Sequence, residues 1–187
     1  MLKHRVLLSE AVIAGRVDEL AEAVRRELPN PAPLVVGLLT GSFVFVADLV
    51  RAMAHLGLEP QVDFLAVSHY GPATVSDGVV HIQKDVATDV RRRAVLLVDD
   101  ILDSGLTLQL VRAHLAAREP MWLRTCVLLD KPSRRVVDMH ADYVGFEVPD
   151  HWLIGYGLDC GGEGRTLPYV AAVEADGPEA TERTRKP

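Results

Sequence analysis

The chain has 187 residues, of which 49% are hydrophobic and 25% charged: enough for one globular domain that buries most of its apolar surface, and too apolar for a disordered segment. Its formal net charge of −6 argues against a nonspecific nucleic-acid binder, and no apolar stretch reaches the length of a membrane span. Two cysteines, Cys126 and Cys160, are too few for a disulfide framework, and neither they nor the seven scattered histidines stand at metal-ligand spacing, so transition-metal chemistry is not expected.

In chain order, Met1-Leu2-Lys3-His4-Arg5 leads into a short apolar pair rather than a signal-peptide core, which makes the cytoplasm the default compartment. From Ser9 to Leu28, apolar residues at Val12, Ile13, Val17, Leu20, Ala21, Val24 and Leu28 follow a helical period, and Pro29-Asn30-Pro31 stops the helix. Leu34 to Leu39 reads as a buried strand, Thr40-Gly41-Ser42 as a turn and Phe43 to Leu56 as a well-buried helix. Val62 to Val67 is a second strand. Between Ser68 and Arg93 the pattern changes to Gly71-Pro72, Ser76-Asp77-Gly78 and a short β-type run from Val79 to Gln83, which reads as a hairpin or mobile flap. Ala94 to Val98 is a strand, Leu106 to Ala117 a helix, Leu123 to Leu129 a strand with Cys126 as a small buried hydrophobe, and Tyr143 to Val148 a shorter strand. The tail from Glu174 is charged, lacks apolar periodicity and is expected to be disordered. Strands alternating with helices predict an α/β fold, a doubly wound, mainly parallel sheet flanked by helices.

The run Val95-Leu96-Leu97-Val98-Asp99-Asp100-Ile101-Leu102-Asp103-Ser104-Gly105-Leu106-Thr107 joins an apolar strand to three carboxylates and then to a small turn that opens a helix. Four consecutive aliphatics, β-branched at both ends, read as a strand buried on both faces of a parallel sheet. Asp99, Asp100 and Asp103 then lie at its C-terminal end, where open α/β sheets bind ligands. Ser104, Gly105, Leu106 and Thr107 bring free backbone N–H groups and two hydroxyls to a helix N-terminus, a phosphate cradle. An anion cradle beside a carboxylate cluster suits a ligand carrying both a phosphate and groups that carboxylates bind. A ribose 5-phosphate is such a ligand, with its phosphate in the turn and its 2′ and 3′ hydroxyls, alone or through Mg²⁺, on Asp99 and Asp100. The plain alternative, a capped helix after a strand with Asp103 or Ser104 as N-cap, accounts for one of the five polar residues.

This segment resembles the phosphoribosyl-pyrophosphate (PRPP) binding motif of type I phosphoribosyltransferases, and the best fit is to their 6-oxopurine, hypoxanthine-guanine branch. The resemblance runs from about Leu34 to Val170 in four separate motifs. It implies one phosphoribosyltransferase domain over residues 1–173, with a core at about 9–148, a small hood at about 149–173, a mobile flap at about 68–93, and a disordered tail over 174–187. It makes Asp103 the general base or acid at the purine N7, a role worth about 10²–10⁴-fold. Asp99, Asp100, Ser104, Gly105, Leu106 and Thr107 become the binders of ribose and its 5′-phosphate, although Asp99 stands where the family has Glu. Leu39-Thr40-Gly41-Ser42 resembles the pyrophosphate loop, in which Thr40 replaces the usual Lys. One positive charge is therefore missing beside pyrophosphate, and PRPP affinity or its Mg²⁺ dependence is expected to differ.

In Leu128-Leu129-Asp130-Lys131-Pro132-Ser133-Arg134-Arg135, a lysine follows another strand end. An ammonium has donors and no acceptor, so Lys131 favours a 6-oxo group over the 6-amino group of adenine; a solvated basic turn is the alternative. The stretch from Val144 to Asp159 resembles the family's C-terminal motif. It implies that Trp152 stacks on the purine, worth about 1–3 kcal/mol, and that Leu153 offers main-chain groups to the purine's far edge. It also implies that Asp159, with Asp99 and Asp100, serves Mg²⁺ carried with pyrophosphate, while Arg165 is the pyrophosphate arginine. Trp152 as core filler is the alternative. Cys160-Gly161-Gly162-Glu163-Gly164 replaces an aromatic-rich stretch and is expected to be flexible. Ser68 and Tyr70, in Ser68-His69-Tyr70-Gly71, resemble the Ser-Tyr element of the closing loop, with His69 a surface residue.

The resemblance thus implies a purine-salvage enzyme that uses Mg²⁺, PRPP and a 6-oxopurine and releases pyrophosphate, with no nucleic-acid or membrane partner, as a homodimer or homotetramer. Two readings compete. A PRPP-sensing regulator that binds RNA or DNA draws on Arg91-Arg92-Arg93 and Arg134-Arg135, which look instead like loop charges beside strands. A phosphoribosyltransferase for another base, such as a pyrimidine or xanthine alone, is the other.

Overall fold

The structure, a computed structural model, describes residues 2–29, 32–69 and 80–174. Its elements in order are β1 (His4–Leu8), α1 (Glu10–Glu27), β2 (Leu34–Leu39), α2 (Phe43–His55), β3 (Gln61–His69), β4 (Val80–Lys84), β5 (Ala94–Leu102), α3 (Leu106–Ala116), β6 (Trp122–Asp130), β7 (Tyr143–Glu147), β8 (Leu153–Ile154) and β9 (Val170–Val173), with a 3₁₀ turn at Pro132–Arg134. Six strands form one sheet in the order β4-β3-β2-β5-β6-β7, in which only the β3–β4 pair is antiparallel. The α/β, doubly wound, mainly parallel expectation holds.

Strand periodicity explains the two cores. Along β2 and β5 successive side chains point to opposite faces, so Val35, Leu96 and Val98 join one apolar cluster while Leu34, Val36, Leu38, Val95 and Leu97 join another. The first cluster is closed by α1 and α2, through Ile13, Val17, Leu20, Val24, Phe45, Leu49 and Met53. The second is closed by α3, through Leu108, Val111 and Leu115. A sheet covered on both faces needs unbroken aliphatic strands, which is what β2 and β5 supply. Helix α1 starts where expected: Ser9 is its N-cap, accepting from the Val12 N–H at 3.4 Å.

Three differences from the sequence reading bear on the site. β5 does not stop at Val98; its ladder with β6 continues to Leu102 opposite Asp130, so Asp99 and Asp100 are strand residues. β3 runs Gln61–His69 rather than Val62–Val67, and β4, described from Val80, continues to Lys84 rather than ending at Gln83. Finally, a second, three-stranded sheet in the order β1-β9-β8 draws on both ends of the chain, with His4 opposite Val173. No strand was anticipated before Ser9, because the partner of β1 lies at the far end of the sequence. Tyr70 and the rest of the segment between β3 and β4 (70–79), and the tail from residue 175, lie outside the described residues.

Candidate active site

The strand order fixes where a ligand can sit. From β2 the chain moves outward to β3 on one side, and from β5 to β6 and β7 on the other, so the order reverses between β2 and β5. At such a switch point the loops leaving the two strands diverge and open a crevice outside their carboxyl ends. The loop after β2 is Thr40-Gly41-Ser42, and the end of β5 carries Asp99, Asp100 and Asp103.

The first loop and the acidic pair touch. A Cβ on Gly41 would lie 1.7 Å from Asp100 Oδ2, so only glycine lets the carboxylate pack against this backbone. The Leu39–Thr40 peptide is cis, and Thr40 is exposed. Asp99 and Asp100 are partly buried. Burial and the neighbouring Asp100 charge push the Asp99 carboxyl well above the usual carboxylate range, and burial raises Asp100 as well, against the opposing charge of Arg165. Two adjoining carboxylates short of positive charge are a donor set for a hard cation or for sugar hydroxyls.

Beyond β5, Gly105 takes a left-handed conformation with φ 88° and opens α3; neither Asp103 nor Ser104 is its N-cap, and Ser104 Oγ accepts from the Leu106 N–H at 3.4 Å. The first intrahelical bond runs from the Gln109 N–H to Gly105 O at 2.9 Å, so the amides of Leu106, Thr107 and Leu108 precede it and remain directed at the turn. This is anion-binding geometry beside a carboxylate pair.

Lys131 follows β6 and is buried, with Nζ donating to His151 O at 2.7 Å and lying 3.8 Å from Asp150 Oδ1. Burial draws its ammonium below the usual lysine range, against the pull of Asp103 and Asp150. Trp152 is half-buried and packs against the cluster of Ile154, Cys160 and Ala171. Leu153 lies in β8, an outer strand of the small sheet that pairs on one side with Ala172, which leaves its other main-chain edge unpaired within that sheet.

Asp159 and Arg165 are brought to each other: Arg165 Nη2 donates to Asp159 Oδ1, and its Nη1 donates to Gly157 O at 2.5 Å. The glycine-rich stretch 160–164 forms a hydrogen-bonded turn. Cys160 and Glu163 exchange two backbone hydrogen bonds, at 3.0 and 3.2 Å, around Gly161 and Gly162, whose φ values of 61° and 88° suit a tight two-residue hairpin turn. The Gly162 N–H closes the arrangement on Asp159 Oδ2 at 2.8 Å. Ser68 Oγ is buried without a hydrogen-bond partner among the described residues, at the end of β3 that leads into the flap.

The phosphoribosyl transferase domain model matches residues 7–160. The hypoxanthine-guanine phosphoribosyltransferase of Aquifex aeolicus is 49% identical over 173 residues, covering 92% of this chain and 96% of that protein. This chain belongs to the phosphoribosyltransferase family, in its hypoxanthine-guanine branch. Solved structures agree with the phosphoribosyltransferase fold. A hypoxanthine-guanine phosphoribosyltransferase from Bacillus anthracis, with HEPES in its active site, superposes with a TM-score of 0.85 at 41% identity, covering 93% of this chain and all of that one (100%). The Trypanosoma cruzi hypoxanthine phosphoribosyltransferase in complex with IMP gives a TM-score of 0.84 at 34% identity, over 95% and 96% of the two chains.

The sequence reading took Arg134 and Arg135 as loop charges and gave no part to Asp130 and Asp150, which in this phosphoribosyltransferase lie around Asp103. Arg135 is mostly buried; its Nη1 donates to Leu102 O at 3.1 Å and to Asp103 O, and its Nη2 pairs with Asp130. Arg134 Nε lies 3.2 Å from Asp103 Oδ1, and its Nη1 lies 3.7 Å from Asp150 Oδ2. Arg135 is thus a mostly buried clamp and Arg134 a partly exposed bridge between two carboxylates. Arg91 pairs with Glu119 at 3.2 Å. No helix among the described residues is long and apolar enough to cross a membrane.

Proposed function

We propose that this phosphoribosyltransferase transfers the 5-phosphoribosyl group of PRPP to N9 of a 6-oxopurine, hypoxanthine, guanine or xanthine, in the cytoplasm, as a homodimer or homotetramer. The observation that carries this reading is the meeting, at the β2–β5 switch point, of an acidic pair, an amide-lined helix start and the Gly41 loop. These features match the three parts of a ribosyl pyrophosphate: hydroxyls, 5′-phosphate and leaving group.

The chemistry follows from the groups available. The N9 lone pair attacks C1′, the C1′–oxygen bond to pyrophosphate breaks, and the proton on N7 passes to Asp103 as the base becomes neutral in the nucleotide. Asp99 and Asp100 orient the ribose, and the turn of Ser104, Gly105, Leu106 and Thr107 that opens α3 holds the 5′-phosphate. Lys131 Nζ, with one donor on His151 O, offers another to the 6-oxo oxygen. Trp152 supplies a stacking face, and Leu153 main-chain groups read the far edge. Ser68 and Tyr70 belong to the flap that shields the reacting centre from water. Asp99, Asp100 and Asp159 are the residues that would hold Mg²⁺, which when bound neutralises pyrophosphate oxygens. Arg165 and the Thr40-Gly41 amides face the same leaving group, Arg165 exchanging Asp159 for phosphate oxygens.

Initial rates with PRPP, Mg²⁺ and a panel of purine and pyrimidine bases test the reading, together with Asp103→Asn. Activity confined to 6-oxopurines, with turnover lowered about 10²–10⁴-fold in Asp103→Asn and PRPP affinity preserved, is expected. Calorimetry without PRPP uptake in the presence of magnesium would overturn it.

A further inference from the structure

We infer that Arg134 is a positioning residue for Asp103, fixing its carboxylate for the purine and tying it to the segment that carries Trp152; this rests on the reading of Asp103 given above. The argument starts from the two loops at the ends of β5 and β6. Lys131 N–H bonds Leu102 O at 3.0 Å and Val136 N–H bonds Ser104 O at 3.0 Å, so the loops are stapled together on both sides of the 3₁₀ turn. Pro132 opens that turn, and Arg134 N–H returns to Lys131 O at 3.1 Å, which fixes where the Arg134 side chain departs. Arg135, held by Asp130, clamps the carbonyls of Leu102 and Asp103.

With its backbone held this way, Asp103 keeps only its side-chain rotations. Arg134 restricts those by engaging Oδ1 at 3.2 Å, which leaves Oδ2 for the purine nitrogen. The same guanidinium reaches Asp150 Oδ2 at 3.7 Å, and Asp150 Oδ1 lies 3.8 Å from Lys131 Nζ. Asp103, Arg134, Asp150 and Lys131 thus alternate in charge around the space where the 6-oxo edge would lie. Asp150 precedes Trp152 by two residues, so the bridge links the proton-accepting group to the stacking face. A lysine at position 134 could match the charge, but it lacks the planar fork that spans two carboxylates.

A double-mutant cycle separates this role from a merely structural one. Arg134, Asp103 and Asp150 are about half exposed, so Arg134→Gln should leave the melting temperature unchanged within about 2 °C, and it should lower kcat about three- to five-fold with KM for PRPP unchanged. Arg134→Lys should recover part of that loss. In an Asp103→Asn background, adding Arg134→Gln should change kcat by no further factor. An equal loss in both backgrounds, or wild-type kcat in Arg134→Gln, overturns the positioning role while leaving Asp103 in place. Wild-type kcat in Asp103→Asn alone removes the reading of Asp103 and this inference with it.

Discussion

Gly41→Ala isolates one contact on which the crevice depends. The added methyl would lie 1.7 Å from Asp100 Oδ2 and 2.6 Å from its Cγ, whereas folded proteins do not hold such contacts below 3.0 Å. The carboxylate or the loop must therefore retreat by about 1.3 Å, the difference between those two oxygen distances. Overpacking of this kind costs about 1–3 kcal/mol, which for a domain of this size lowers the melting temperature by roughly 2–12 °C. The catalytic loss should be larger in relative terms, because a displacement of about 1 Å in a positioned group can cost about 10²-fold in rate. Steady-state nucleotide formation from PRPP and hypoxanthine, read by ultraviolet absorbance beside thermal melts, measures both. Gly15→Ala is the control: nothing lies within 4 Å of its added methyl, and helix propensity should raise stability by about 0.5–1 kcal/mol. A Gly41→Ala protein with wild-type kcat and melting temperature would refute the reasoning that the loop and the acidic pair form one packed unit.

Burial by itself would raise the Asp63 carboxyl, but hydrogen bonds from the Thr88, Phe64 and Ala87 amides and from the Thr88 hydroxyl outweigh it and hold the group well below the usual carboxylate range. Because folding lowers the pKa of this carboxyl, its contribution is complete above the unfolded value of about 4 and is lost as pH falls toward the folded one. Asp63→Asn should therefore flatten the loss of stability below about pH 5, by about 2 kcal/mol, in denaturant titrations across pH. Arg135→Gln leaves Asp130 unpaired in a largely buried position and should destabilise by about 3–5 kcal/mol, read as a fall in the urea midpoint. Burial pushes the Cys126 thiol up, so alkylation of the native protein followed by mass spectrometry should leave Cys126 unmodified until the chain is unfolded.

Strands β2 and β5 were legible because two-sided burial writes itself as consecutive aliphatics, and α1 because its buried face and its serine cap recur at helical spacing. The overrun of β5 was not, since Asp99 and Asp100 break the apolar pattern while the backbone ladder with β6 continues beneath them. Composition did not reveal the turn at residues 160–164, where the glycines supply the positive φ angles that let Cys160 and Glu163 pair. The acidic residues and the α3 start could be placed from local sequence because they are neighbours in the chain. Arg134 and Arg135 could not be assigned that way: their partners Asp103, Asp130 and Asp150 lie on different elements, so nothing in the local pattern separates a clamp from a solvated charge.

The pairing of β1 with β9 has a consequence for biosynthesis. His4 is translated 169 residues before its partner Val173. At about 5–20 residues per second, the six-stranded sheet has all its strands once Glu147 is made, while β1 waits about 1–5 s longer for β9 to dock on. The smaller sheet, with Trp152 packed beside it, thus assembles after the six-stranded one, and a translation product stalled between Glu147 and Val170 would hold the strands of the large sheet but no partner for β1.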